Sequence, residues 1–132
     1  MSLLTEVSGY LVANVTAQDL VLGNNLFLNS KPDTPDIAVV LYETAAERPT
    51  DLYGTGAPAY EHRGMQVIAR ASAHAVAETL ARDVWATLLL IVNETIGSTR
   101  YLRGEALQSP FPLQRDLKHR MEFACNYVFT VT

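Results

Sequence analysis

Apolar residues recur at steps of three and four from the start of the chain: Leu4, Val7, Leu11 and Val15, with Leu3 beside them. That spacing sets them on one face of a helix from about Ser2 to Ala17, with Ser2 as its N-cap. A short apolar patch, Leu26-Phe27-Leu28, follows inside turn-rich sequence that carries Pro32 and Pro35. It reads as a loop with an anchored middle. Ile37 to Tyr42 is apolar on both alternating sets and rich in β-branched residues, the pattern of a strand covered on both faces. Thr44 to Tyr60 holds Pro49, Gly54, Gly56 and Pro58 and reads as a long loop; loops of that length in compact domains tend to bind or assemble.

Met65, Val67, Ala69 and Ala71 then alternate with Gln66, Ile68 and Arg70, which predicts a second strand. Ser72 can cap a second helix reaching about Val92, with Val76, Leu80, Val84, Leu88 and Ile91 as its apolar stripe. After a turn at Ile96-Gly-Ser-Thr, residues Arg100 to Gln108 predict a third strand, interrupted by Gly104. The most regular pattern closes the chain. Met121, Phe123, Cys125, Tyr127, Phe129 and Val131 share one face of a fourth strand, opposite Glu122, Asn126 and Thr130. The expected fold is therefore α+β, in the order helix, strand, strand, helix, strand, strand. A mainly antiparallel four-stranded sheet carries both helices on one face. The organisation expected is a single domain over residues 1–132 with a long loop at about 44–62.

Composition narrows the function more than the fold. The chain has 132 residues, 48% of them hydrophobic and 18% charged, far from the composition of disordered chains. Its net charge of −4 argues against holding nucleic acid by neutralising phosphates. The N-terminus lacks a basic leader, and the longest central apolar run, Trp85 to Val92, is far short of the roughly 20 residues a membrane span needs. A soluble protein without membrane contact, intracellular where it is made, is the expectation. The sequons at Asn14 and Asn93 are then chance matches.

Catalytic and metal-binding patterns are scarce. His62, His74 and His119 stand in no metal-ligand spacing, no GxSxG elbow surrounds Ser98 or Ser109, and Gly54-Thr-Gly56 lacks the rest of a phosphate cradle. The single cysteine, Cys125, reads as a small buried hydrophobe. No catalytic, cofactor-binding or metal-binding residue is assigned. What stands out instead is the segment Ser109 to Phe123, where Pro110, Phe111 and Pro112 precede Arg115, Asp116, Lys118, His119 and Arg120. Mixed charge beside an exposed Phe111 suits either a solvated turn or an interface, in which Arg and aromatic residues are enriched. An internal Asp116–Arg120 pair is a further option.

From Ile37 onward the chain resembles the tail-terminator or tail-completion proteins of long-tailed bacteriophages, also called minor capsid proteins. The resemblance lies in Ile37-Ala-Val-Val-Leu-Tyr42-Glu-Thr44, a loop ending near His62, Met65-Gln66-Val67 with Arg70, and an Ala-rich helix with Leu80 and Leu88. It continues through Gln108-Ser-Pro110, Leu113, Asp116, Arg120, Phe123 and Asn126. Relatives often carry two glycines where this chain has Ala45 and Ala46. The resemblance implies a non-enzymatic virion protein that forms a ring, typically a hexamer, on the end of the tail tube. Such a ring stops tube polymerisation and meets the head-tail connector or neck protein, while DNA only passes through. The location implied is the head-proximal end of the tail, after assembly in the host cytoplasm. Candidate interface residues are Arg48, Tyr53, Tyr60, Phe111, Arg115, Asp116, Lys118 and Arg120. The rival readings are a neck or head-completion protein on the portal side, and a small enzyme or ligand-binding α+β module.

Overall fold

Ser2 opens the first helix, as its position before the apolar stripe predicts: its hydroxyl accepts from the Thr5 amide at 3.2 Å. The structure is a computed structural model that describes residues 2–46, 50–51 and 58–132. Helix α1 runs Leu3–Asn14, shorter than expected. The amides of Thr16 and Ala17, which a longer helix would point back at its own carbonyls, donate instead to the Asp83 carboxylate at 3.0 and 2.6 Å. A side chain from the second helix thus ends the first.

The strands are β1 (Leu26–Leu28), β2 (Ala38–Thr44), β3 (Thr50–Asp51), β4 (Pro58–Ala71), β5 (Val92–Ile96), β6 (Thr99–Ala106), β7 (Phe111–Pro112) and β8 (Met121–Val131); α2 (His74–Leu88) lies between β4 and β5. The main path of the sheet is β1-β2-β4-β8-β6-β5, with β3 beside β4 and β7 beside β8. The fold is α+β with two helices, as expected, but the sheet is larger than four strands. The Leu26–Leu28 patch, expected as a loop, pairs in parallel with β2, Leu26 opposite Val39. All other pairings of the path are antiparallel.

Helix α2 corrects three expectations. It starts after Ala73, which gives no side-chain cap, so Ser72 is not its cap. Its buried stripe is Ala77, Leu80, Ala81, Val84 and Leu88, while Val76 is 43% exposed. And it ends four residues before Val92: the amides of Leu90 and Ile91 close a last tight turn onto the Thr87 and Leu88 carbonyls, and Val92 begins β5. Inside the unbroken run Leu88-Leu89-Leu90-Ile91-Val92 no glycine or proline marks that change, and apolar residues fit either element.

Both helices cover one face of the sheet. Leu3, Leu4, Val7 and Leu11 of α1 join the α2 stripe over Val39, Leu41, Met65, Val67, Phe123, Tyr127 and Phe129. Cys125 is buried among them, its thiol 3.0 Å from the Gln108 carbonyl. Helix α1 touches β1 and also β5, the two ends of the strand order, so the sheet curls around it. Glu6 fixes that closure. Its buried carboxylate accepts from the Tyr101 hydroxyl (2.9 Å), the Thr99 hydroxyl (3.0 Å) and the Ser98 amide (3.2 Å). Gly97, at φ +62°, turns the β5–β6 hairpin there, and a side chain on it would lie 2.5 Å from a Glu6 oxygen.

Two core tyrosines make stability sensitive to alkali. Burial, reinforced by the Glu6 hydrogen bond, pushes Tyr101 well above its ordinary 10.0. Burial beside Cys125 does the same for Tyr127, whose hydroxyl has no hydrogen-bond partner among the described residues. Above pH 10 the unfolded chain loses protons that the folded chain keeps, so stability is intact below that pH and falls as pH rises through it. Each tyrosine is expected to contribute a slope of about 1.4 kcal/mol per pH unit. Denaturant titrations from pH 9 to 11.5 would measure it; Tyr127→Phe should remove its share of the slope without lowering stability at neutral pH, because the lost hydroxyl has no partner there.

Candidate functional site

The face of the sheet away from the helices carries a smaller apolar cluster, Val40, Ile68 and Ala124, with Phe27, Tyr42, Phe111 and Leu113 packed on it. Phe111 is half-buried there, paired through β7 opposite Ala124, and is not the exposed aromatic expected. It seats the proline-flanked segment on the sheet. The chain beyond it, residues 113–120, then meets residues 29–37 across the ends of β4 and β8.

Charge holds those two loops together. Arg120 is only 4% exposed, and its guanidinium donates to the Asp116 carboxylate (2.7 Å), the Asp33 carbonyl (2.5 Å) and side chain (3.2 Å), and Asp36 (3.3 Å). Asp116 also accepts from the amides of Lys118 and Arg120, both at 2.9 Å, so one carboxylate shapes the turn. His119 completes it at φ +59°. The Arg115 guanidinium donates to the His119 carbonyl. Lys118 pairs with Asp33 at 2.5 Å, and Lys31 pairs with buried Glu122 at 3.0 Å. Arg70, at 1% exposure, donates to the backbone carbonyls of Pro35 (2.6 Å) and Asp36 (3.2 Å). Lys31, Lys118 and Arg120 thus pair with four carboxylates, while Arg70 and Arg115 bind backbone carbonyls beside them.

Their ionisation follows from the geometry. The Lys118 hydrogen bond, with the Arg120 charge behind it, holds the Asp33 carboxyl below its ordinary range. Burial works against the charged form of Asp116, but bonds from the Arg120 amide and guanidinium outweigh it and lower that carboxyl too. For Arg120 burial is likewise outweighed by Asp116, Asp36 and Asp33, which strengthen its hold on its proton. Arg70 goes the other way: burial, then the Arg120 charge, loosens its proton.

Of the candidate residues, Arg48 and Tyr53 lie outside the described residues. Tyr60 is exposed at the start of β4, and Arg115 and Lys118 are exposed on the 113–120 loop. Asp116 and Arg120 pair with each other, and Arg120 faces inward. Lys31, Asp33, Asp36, Arg70 and Glu122 are the partners that sequence reasoning missed. Arg70 and Glu122 stand opposite each other in the register, at positions whose alternation predicts solvent. Only the paired polar positions on the two central strands hinted that something polar covers them.

A cleft of about 200 Å³ opens in this cluster, lined by Lys31, Asp33, Arg70, Asp116, Leu117, Lys118 and Arg120. It lies below the usual 300–1,000 Å³ of small-molecule pockets. Its lining has no serine, cysteine or histidine, and the shifts of Asp33 and Asp116 carry them away from the half-protonated state that acid–base work near neutral pH requires. Elsewhere, His62 reaches Thr130 at 3.3 Å and His74 packs edge-on against Phe123. No three His, Cys, Asp or Glu side chains among the described residues are grouped to hold a metal, and no helix among them is long and apolar enough to cross a membrane.

Fold and surface define the class first: a small α+β protein whose charged cluster ties two of its own loops together. The comparisons then make it specific. Residues 15–132 match the family model described as bacteriophage tail terminator protein, and the chain belongs to that family. It is a structural protein of a phage-type virion. The match starts upstream of Ile37, where the resemblance in the sequence begins, and leaves out α1. A solved structure titled "Virion of native gene transfer agent (GTA) particle" contains a similar chain, 18% identical, with a TM-score of 0.74 over 98% of this chain and 94% of that one. No curated protein matches in sequence.

Proposed function

We propose that this protein is the subunit of a ring that sits on the finished end of a tail tube, stops its polymerisation and offers a docking surface to the head connector. The family match over residues 15–132 carries this reading. The surface agrees with it. A closed ring needs two different patches on each subunit that meet head to tail. Exposed apolar side chains gather at both margins of the sheet: Val21 and Leu22 just before β1, and Leu89, Leu90 and Val92 at the entry to β5. Of these Leu90 is the most exposed, at 68%. Tyr60, Arg115 and Lys118, with Arg48 and Tyr53, remain candidates for contacts with the tube or neck.

Adding the purified protein to polymerising tail-tube subunits should fix tube length and place the protein at one end, visible by negative stain. Unchanged lengths with no end-binding would refute the reading. The double variant Arg115→Ala/Lys118→Ala is expected to melt like the parent, because both side chains are exposed, and to bind tube ends or connector less tightly. A drop in melting temperature would instead assign these residues to the fold.

A further inference from the structure

We infer that the cleft between the 29–37 and 113–120 loops is a receptor for a carboxylate side chain carried by a neighbouring virion protein, received by the Arg70 guanidinium with Leu117 at the rim. That the carboxylate comes from a virion protein rests on the assembly reading above; that the cleft takes a carboxylate does not.

Arg70 is the reason. The four cations lining the cleft face four carboxylates, counting Asp36 and Glu122 beside it, so the cluster is formally neutral. Yet the pairing is uneven. Lys31 takes Glu122, Lys118 takes Asp33, and Arg120 takes Asp33, Asp36 and Asp116. Arg70 enters no ion pair among the described residues, although it is the most buried of the four. Its Nε donates to the Asp36 carbonyl and its Nη2 to the Pro35 carbonyl, and among the described residues its Nη1 makes no hydrogen bond. Glu122, Asp116 and Asp33 act on Arg70 from a distance, but each bonds to another cation, so the buried guanidinium is only partly compensated. The loosened hold on its proton is the same fact seen in ionisation. Arg70 lines the cleft, and the incoming carboxylate is placed on the guanidinium edge that Pro35 and Asp36 do not use, a planar donor suited to it.

The mouth specifies what else the ligand carries. Leu117 is fully exposed, at 102%, directly beside this charged opening. A leucine held out on a turn pinned by Asp116 costs solvation unless something apolar covers it. An acidic residue followed by an apolar one supplies both groups, whereas a nucleic-acid phosphate supplies only the charge.

The test is a titration of the isotope-labelled full chain, followed by its amide NMR signals. The probes are acetyl-Glu-Leu-amide, its Gln-Leu twin and inorganic phosphate. The acidic peptide should shift the amides of Lys31, Asp33, Thr34 and Asp36 and those at 69–71 and 116–120, the Gln twin should bind at least tenfold more weakly, and phosphate at equal concentration should not displace the peptide. Arg70→Gln should weaken the peptide at least tenfold. Because that change also frees two backbone carbonyls, Leu117→Asp serves as the second variant: fully exposed, it should keep the melting temperature and still reduce binding by a similar factor. Equal binding of the Gln twin, displacement by phosphate, shifts elsewhere in the chain, or no shifts at all would overturn the proposal. The titration contains no tube, so its failure leaves the capping result standing, and a failure to cap leaves the titration standing.

Discussion

Glu6→Ala should be the most damaging single change to a polar side chain in this protein. The Tyr101 hydroxyl, the Thr99 hydroxyl and the Ser98 amide all lose their acceptor at once. Each donor left unsatisfied in a buried place costs about 1–3 kcal/mol, and water can reach the turn end of the site, so a loss of about 3 kcal/mol is expected. For a chain of this size that lowers the melting temperature by roughly 10 °C. Glu6→Gln should fall between the two, since its amide oxygen still accepts from Tyr101 while its NH₂ group confronts the Ser98 amide. Thermal melts of the three proteins would decide. If alanine and glutamine variants both melt within a degree or so of the parent, the carboxylate does not fasten the curled sheet.

The second large effect concerns the loops. Arg120→Ala removes the shared partner of Asp33, Asp36 and Asp116 and empties a buried volume at the start of β8. Truncating one member of a buried ion cluster costs about 3–5 kcal/mol where the partners stay buried; here Asp33 and Asp36 can rehydrate, so about 2–3 kcal/mol is expected. The change should also expose 29–37 and 113–120 to protease well below the melting temperature. Lys118→Ala, which removes an exposed partner of an exposed aspartate, should leave the melt unchanged. Equal damage from both variants would show that the network works through net charge and not through the inward arginine. Acid should mimic Arg120→Ala. Both Asp33 and Asp116 titrate below 3.8 in the folded chain, so their contribution is present above that pH and disappears as pH falls through their folded values.

Much of this architecture could be read from the residues. The alternation in β4 and β8 and the Ser2-led stripe of α1 each follow from one face being buried, and the unbroken apolar run of β2 from both faces being covered. What escaped has physical causes. Strand β1 is three residues long and borrows its stability from β2, so it carries no pattern of its own. Strand β5 follows α2 without a break in apolarity. Val76 was placed on the buried stripe, whereas the helix turns Ala77 and Ala81 inward with Leu80, Val84 and Leu88. At the candidate site, the charged run after Phe111 was visible, and the Asp116–Arg120 pair was an open alternative. Its inward direction was not legible, because it is set by residues more than eighty positions earlier, Asp33 and Asp36. Glu6 was hidden for the same reason: its partners lie beyond position 97.

The position of β8 between β4 and β6 has a further consequence. Strand β8, which fills the middle of the sheet, is made after the strands on either side of it, and helix α1 cannot complete its bonds until residues about ninety positions later have arrived. Such long-range closure makes folding slow and all-or-none. A copy broken off early would have neither a central strand nor a docked first helix, and would be left to proteases instead of entering a virion as a faulty part.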